Sequence, residues 1–176
     1  KLDQPPATIS GRYYALDRDK HWDRTEKTYQ VLTGQGPIAE NLESHVQKYY
    51  DRGLNDEFIE PAIVGRSGLD GAVKDNDSII FFDFREDSIR QITESFITPD
   101  FEKFSVKKLN NLYIATMTRY SDRFNAPVAF PPETVEKPLG KILTENKKTQ
   151  LRIAETEKYA HITYFFNGFK DQPMDG

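Results

Sequence analysis

The sequence holds no cysteine, three histidines and a single tryptophan. Without thiols there are no disulfides, thiolate metal sites or cysteine nucleophiles, a composition that fits a reducing compartment. His21, His45 and His161 lie far apart, with no HxxxH or HExxH pairing, so no metal ligand is assigned in this chain. GxSxG, GxxxxGK[ST] and GxGxxG are all missing, which leaves an esterase elbow, a Walker loop and a dinucleotide fingerprint unsupported. No run approaches the roughly 20 apolar residues needed to span a bilayer. The opening "KLDQPPATIS" also lacks the basic start, apolar middle and small-residue cleavage site of a signal peptide. A soluble, cytoplasmic chain is expected, with no membrane partner.

What is present is 176 residues, 37% of them hydrophobic, enough for one ordinary core or parts of two. The formal net charge of -4 argues against a partner such as nucleic acid that is bound by neutralising phosphates. Any anion site must therefore be a local cluster of cations. The stretch "ISGRYYALDRDKHWDRTEKTY" is such a cluster, with Arg12, Arg18, Lys20 and Arg24 set among acids and aromatic rings. A first residue of Lys, and an end just after the apolar run "ITYFF", suggest a piece of something longer.

The chain reads as α/β. Residues 1–19 are expected to be an extended lead-in and a loop, because "QPP" forbids helix and "ATISGRYYAL" alternates loosely like a strand ending at Gly11. A helix is expected over about 19–33, with Trp22, Tyr29 and Leu32 near one face and Gly34 and Gly36 as its end. Pro37 suits the first turn of a second helix with an apolar stripe of Ile38, Leu42, Val46, Tyr49 and Tyr50. "EFIEPAIV" predicts a short extended segment, and "GRSGLDGAV" a small hairpin.

The clearest signal is "NDSIIFFDFREDSIRQITESFI": an apolar strand from Ile79 to Phe84, then a helix burying Ile89, Ile92 and Phe96. So continuous an apolar run predicts a sheet covered on both faces. A second strand in "NLYIATMTRY", residues 111–120, completes a βαβ unit. "NAPVAFPPETVEKP" is a proline-rich connector and the best domain boundary. A short helix through Leu139, Ile142 and Leu143 and a strand over 162–166 are expected after it.

Arg85 follows a strand where a helix begins, the place where open α/β sheets bind ligands. Its guanidinium there can grip a phosphate or carboxylate by two parallel hydrogen bonds, or can instead pair with Asp83, Glu86 or Asp87. Arg12 and Arg18 can likewise converge on one anion or belong to a solvated mixed-charge surface. Lys158, flanked by Glu155 and Glu157, reads from spacing as an ordinary surface ion pair.

Four stretches, "SGRYYALDRDKHWDRTEKTY", "DNDSIIFFDFRED", "NAPVAFPPETVEKPLGKIL" and "LRIAETEKYAHITYFFNG", together resemble the cofactor-independent phosphoglycerate mutases, in order and over nearly the whole chain. The resemblance implies an isomerase of glycolysis and gluconeogenesis. It would interconvert 3-phosphoglycerate and 2-phosphoglycerate through a phosphoserine, with two Mn2+ ions and no 2,3-bisphosphoglycerate. It implies a parent, expected to be a monomer, with an alkaline-phosphatase-like domain and an inserted transferase domain. Residues 1–126 would be the later part of the transferase domain. Residues 127–138 would be a hinge and 139–176 the start of the second segment of the phosphatase-like domain.

The resemblance also implies that Arg12, Arg18, Arg85 and Lys158 bind substrate, while the nucleophilic serine and the metal ligands lie outside this segment. Where the family's "FNFRPDR" has its second arginine, this chain has Ser88. One neutral hydrogen bond in place of a charged fork costs on the order of a kcal/mol or more in anion binding. Arg90 lies about 200° around an ideal helix from Ser88, a poor position from which to substitute. The isolated segment is expected to be inactive. The alternative reading is a non-enzymatic relic that binds phosphate or carboxylate, and a third is an interaction domain whose charges are solvated surface.

Overall fold

The computed structural model describes residues 5–133, 135–170 and 172–173. The expected extended lead-in over residues 1–4 lies outside the described residues. The chain divides after Pro131 into two compact units.

In the first unit, β1 (Thr8–Ile9) pairs antiparallel with β3 (Ala62–Val64), and β2 (Ile38–Ala39) pairs parallel with β3 on its other side. A separate parallel pair joins β4 (Ser78–Phe81) to β5 (Tyr113–Thr116), with Ser78 opposite Tyr113 and Phe81 opposite Thr116. Between β4 and β5 runs α4 (Glu86–Ile97), so the βαβ unit expected from the apolar spacing is present. Its buried Ile92 joins Tyr29, Phe81, Ile114 and Tyr120 in one core, with Ile89 and Phe96 packed alongside. Tyr29 comes from α2 (Trp22–Leu32), which lies against α4. The Tyr29 hydroxyl fastens a distant loop, donating to the Lys107 carbonyl at 3.3 Å and accepting from its N–H at 2.9 Å.

Several expectations are corrected. Residues 12–15 are not loop but a short helix, α1 (Arg12–Ala15). Pro37 does not open a helix: its carbonyl accepts from the Ile63 N–H at 2.9 Å, which places it beside the sheet. The helix α3 (Leu42–Tyr50) starts only where the Asn41 side chain accepts from the Ser44 N–H at 2.9 Å, a true N-cap. The expected hairpin after β3 is a 3-10 turn, Arg66–Leu69.

Strand β4 stops at Phe81: the ladder ends with the Met117 N–H on the Phe81 carbonyl at 2.7 Å, and the chain beyond is met by the Tyr120 hydroxyl, 3.0 Å from the Phe81 carbonyl and 2.6 Å from that of Asp83. Nor is its sheet covered on both faces among the described residues. Ile80 is 70% exposed, Phe82 76% and Phe84 70%.

The second unit carries α5 (Leu139–Glu145), as the spacing predicts. The expected strand over 162–166 is instead a π-helical turn, His161–Phe165. There the Thr163 hydroxyl donates back to the Tyr159 carbonyl at 2.8 Å. Arg152 donates to the Ile162 carbonyl at 2.9 Å and to the buried Asn167 side chain at 2.6 Å. An apolar run this short fits a strand or a helix equally well, and these polar ties decide it.

Candidate anion-binding site

Arg12 opens α1, and the residue before it fixes where that helix can start. The Gly11 N–H donates to the Ile59 carbonyl at 2.7 Å, and a Cβ on Gly11 would overlap the Glu57 carbonyl oxygen. The backbone approach that only glycine permits brings Arg12 beside Glu57, to which its guanidinium donates at 2.7 Å. Glu57 sits in a 3-10 turn, Asp56–Phe58, whose start is capped by Asn55.

Arg18 lies in the loop between α1 and α2. The organiser of that loop is Asp17, a buried carboxylate. Its Oδ1 accepts from the backbone N–H of His21 at 2.9 Å and from Gln91 Nε2 at 3.0 Å. Its Oδ2 meets His21 Nδ1 at 2.8 Å and Arg24 at 3.1 Å. Burial pushes the Asp17 carboxyl up, but the hydrogen bonds from His21 and Gln91 outweigh it and hold the group below its ordinary value. Gln91 also accepts from the Lys20 N–H at 2.8 Å, so α4 grips the loop at two points. Arg24 stacks 3.8 Å above the Tyr13 ring.

Arg85 stands immediately before α4. Its guanidinium forks onto Asp87, Nε at 2.7 Å and Nη2 at 3.1 Å, and Arg18 reaches the same carboxylate at 2.9 Å. Burial raises the Asp87 carboxyl, but the bonds from Arg85 and Arg18 outweigh it and leave the group below its ordinary value. Ser88 is buried beside them, its hydroxyl 3.3 Å from Asp87. Arg90 points elsewhere, to the Tyr120 carbonyl at 2.6 Å and to Glu86.

A cavity of about 430 Å³ lies here. Arg12, Arg18, Arg85 and Ser88, which the sequence puts forward separately, all line it, together with Arg24. The acids Asp17, Asp19, Glu57 and Asp83 stand among them, so the walls are nearly charge-balanced. The sequence reading missed the roles of Asp17, Arg24 and Gln91. An aspartate four residues before a histidine at a helix start was the available signal for Asp17, while Gln91 carried none. Lys158 belongs to the second unit, where it pairs with Glu157 at 2.8 Å and approaches Glu155 at 3.9 Å.

Among the described residues, no three Asp, Glu or His side chains converge to hold a metal ion. The described residues therefore offer no donor set that fits a manganese ion, and no chemical step is routed through one. Among the same residues, no helix is long and apolar enough to cross a membrane.

A family model described as the BPG-independent PGAM N-terminus matches residues 3–122. The chain is 48% identical over 174 residues to 2,3-bisphosphoglycerate-independent phosphoglycerate mutase 1 of Methanosarcina barkeri, covering 97% of this chain and 34% of that protein. It is 46% identical over 173 residues to the 2,3-bisphosphoglycerate-independent phosphoglycerate mutase of Clostridioides difficile, with the same coverage. Among solved structures, Leishmania mexicana phosphoglycerate mutase at low cobalt concentration superposes with a TM-score of 0.75 at 25% identity, over 96% of this chain and 32% of that one. The chain thus spans about a third of the length of the relatives it matches.

Proposed function

The chain belongs to the family of BPG-independent phosphoglycerate mutases, and from that premise we propose that it is the cation-bearing substrate segment of an enzyme that interconverts 3-phosphoglycerate and 2-phosphoglycerate. The observation that carries the proposal is the meeting of Arg12, Arg18, Arg85 and Ser88 at one cavity, although they lie on three separate elements of the fold. A phosphoglycerate presents a phosphate and a carboxylate, and planar guanidinium forks match both groups. In this role the arginines hold the glycerate while the phosphoryl group leaves one hydroxyl and returns to the other, and their gain is in orientation. Lys158 is the further substrate-binding cation of this reading, a role it takes in the complete enzyme.

Residues 1–126 are the later part of the transferase domain, 127–138 the hinge, and 139–176 the start of the second segment of the phosphatase-like domain. The phosphorylated serine and two manganese ions belong to other parts of a cytoplasmic, monomeric parent, and the isolated segment does not turn over. A second reading, a relic that binds phosphoglycerate without turnover, draws on the pairing of Arg12 with Glu57, on that of Arg18 and Arg85 with Asp87, and on the neutral Ser88.

A mutase assay on the complete protein, with manganese and vanadate and without bisphosphoglycerate, separates the two. Turnover supports the enzyme. Calorimetric binding of 3-phosphoglycerate without turnover supports the relic. Neither binding nor turnover overturns both readings.

A further inference from the structure

Asp87 and Gln91 are four residues apart on α4, so they share one helical face, and that face lies against the loop carrying Arg18. Gln91 holds the loop by accepting from the Lys20 backbone N–H and donating to the Asp17 side chain. Asp87 Oδ2 accepts from both Arg18 and Arg85, and its Oδ1 accepts a second bond from Arg85 alone, so one carboxylate holds the two guanidiniums. Two like charges are thereby kept within hydrogen-bond reach of one anion. Without that anion they would repel across a cavity whose dielectric is below that of water. The Asp87 side chain is 28% exposed, against 33% for Arg18 and 54% for Arg85, so solvent screens the interaction only in part.

We propose that Asp87 is the positioning residue of the anion site: its carboxylate sets the separation and tilt of Arg18 and Arg85 before a ligand arrives. The inference rests on the reading that these two arginines meet phosphoglycerate. Asp87 itself touches neither the substrate nor the reacting atoms. It screens Arg18 and Arg85 from each other until the ligand enters, and it spares binding the cost of ordering two long side chains.

The test uses the complete, manganese-loaded protein and 3-phosphoglycerate, and compares Asp87→Asn, Asp87→Glu and Arg18→Ala. Asp87→Asn keeps the shape and removes the charge. Its KM is expected to rise about tenfold (about 1.4 kcal/mol) with kcat changed less than twofold. Because the cavity gains a unit of positive charge, its KM also depends more steeply on salt than the wild type's. Asp87→Glu keeps the charge one methylene further out. It is expected to show a few-fold rise in KM with the wild-type salt slope.

Arg18→Ala separates the two failures. If it is impaired while Asp87→Asn keeps or lowers the wild-type KM, the positioning role is overturned and the substrate site stands. Wild-type KM in both variants overturns the site and the proposal together. A raised KM with an unchanged salt slope and a lowered melting temperature in Asp87→Asn reveals a merely structural aspartate and also overturns the proposal. Should Asp87→Asn fail to fold, Asp87→Glu decides, and a wild-type KM there counts against it.

Discussion

Arg12 donates to Glu57 in an exposed ion pair, a contact worth little to stability by itself. Arg12→Ala in the complete protein is therefore expected to leave the melting temperature within about 2 °C of wild type while KM for phosphoglycerate rises tenfold or more. Unchanged kinetics would remove Arg12 from the site. Ser88 makes the complementary case, since it lines the same cavity and offers a neutral hydroxyl. Ser88→Arg adds a charged fork where the cavity has room, and KM is expected to fall with the fold intact; a loss of folding would mark the position as packed. Asp17 supplies the pH dependence. Its folded carboxyl titrates below its ordinary value near 3.8, so the stability it contributes is full above that value and is lost as pH falls through the depressed one. Asp17→Asn keeps one acceptor oxygen but puts an NH2 where His21 Nδ1 and Arg24 now meet Oδ2, costs about 1–3 kcal/mol at neutral pH and flattens the acid limb of a melting-temperature profile. A parallel acid limb in the variant would show that other carboxylates set it.

At the scale of elements, α1 exists because Gly11 lets the chain pass against Glu57 and Ile59. Gly11→Ala forces that contact apart. It should cost about 1–3 kcal/mol in denaturant unfolding and weaken phosphoglycerate binding through Arg12, whereas Gly53→Ala, with open space around it but a positive φ, should lower stability without touching KM. Equal KM effects from both glycines would break the link between α1 and the site. The βαβ unit was legible in the sequence because "SIIF" and the Ile89, Ile92, Phe96 spacing point to different periods on the two sides of Arg85. The helix of residues 12–15 was not, since a single turn has no period to read and is imposed by a distant carbonyl. The same holds for β2: two residues at Ile38 carry no alternation, and only pairing with Ile63 makes them a strand. The π-turn over His161–Phe165 was hidden because its short, mostly apolar run shows no period, while Arg152, which donates to the Ile162 carbonyl, lies ten residues earlier in the sequence. Within the site, residue types were legible where a charge stood beside an element boundary. The neutral Gln91, which ties two elements together, left no trace.

For the molecule as a whole, the formal charge of -4 does not come from the cavity, where four arginines stand against four acids, but from the other surfaces. The face of β4 raises a separate issue. Ile80, Phe82 and Phe84 project apolar side chains into solvent, and β4 has β5 as its strand neighbour on one edge, with no second partner among the described residues. An apolar strand with an open edge is a template for another chain, and charged residues on such a strand are what usually prevents the pairing. Expressed as these 176 residues, the protein is expected to self-associate at micromolar concentration and to bind a hydrophobic dye. The double variant Ile80→Lys with Phe82→Glu is expected to suppress both effects, because each side chain is already exposed and neither belongs to the buried core. Sedimentation velocity reads the result directly. A monodisperse wild-type chain with no dye binding would show that this face does not drive association, and equal association in the double variant would move the adhesive surface away from β4.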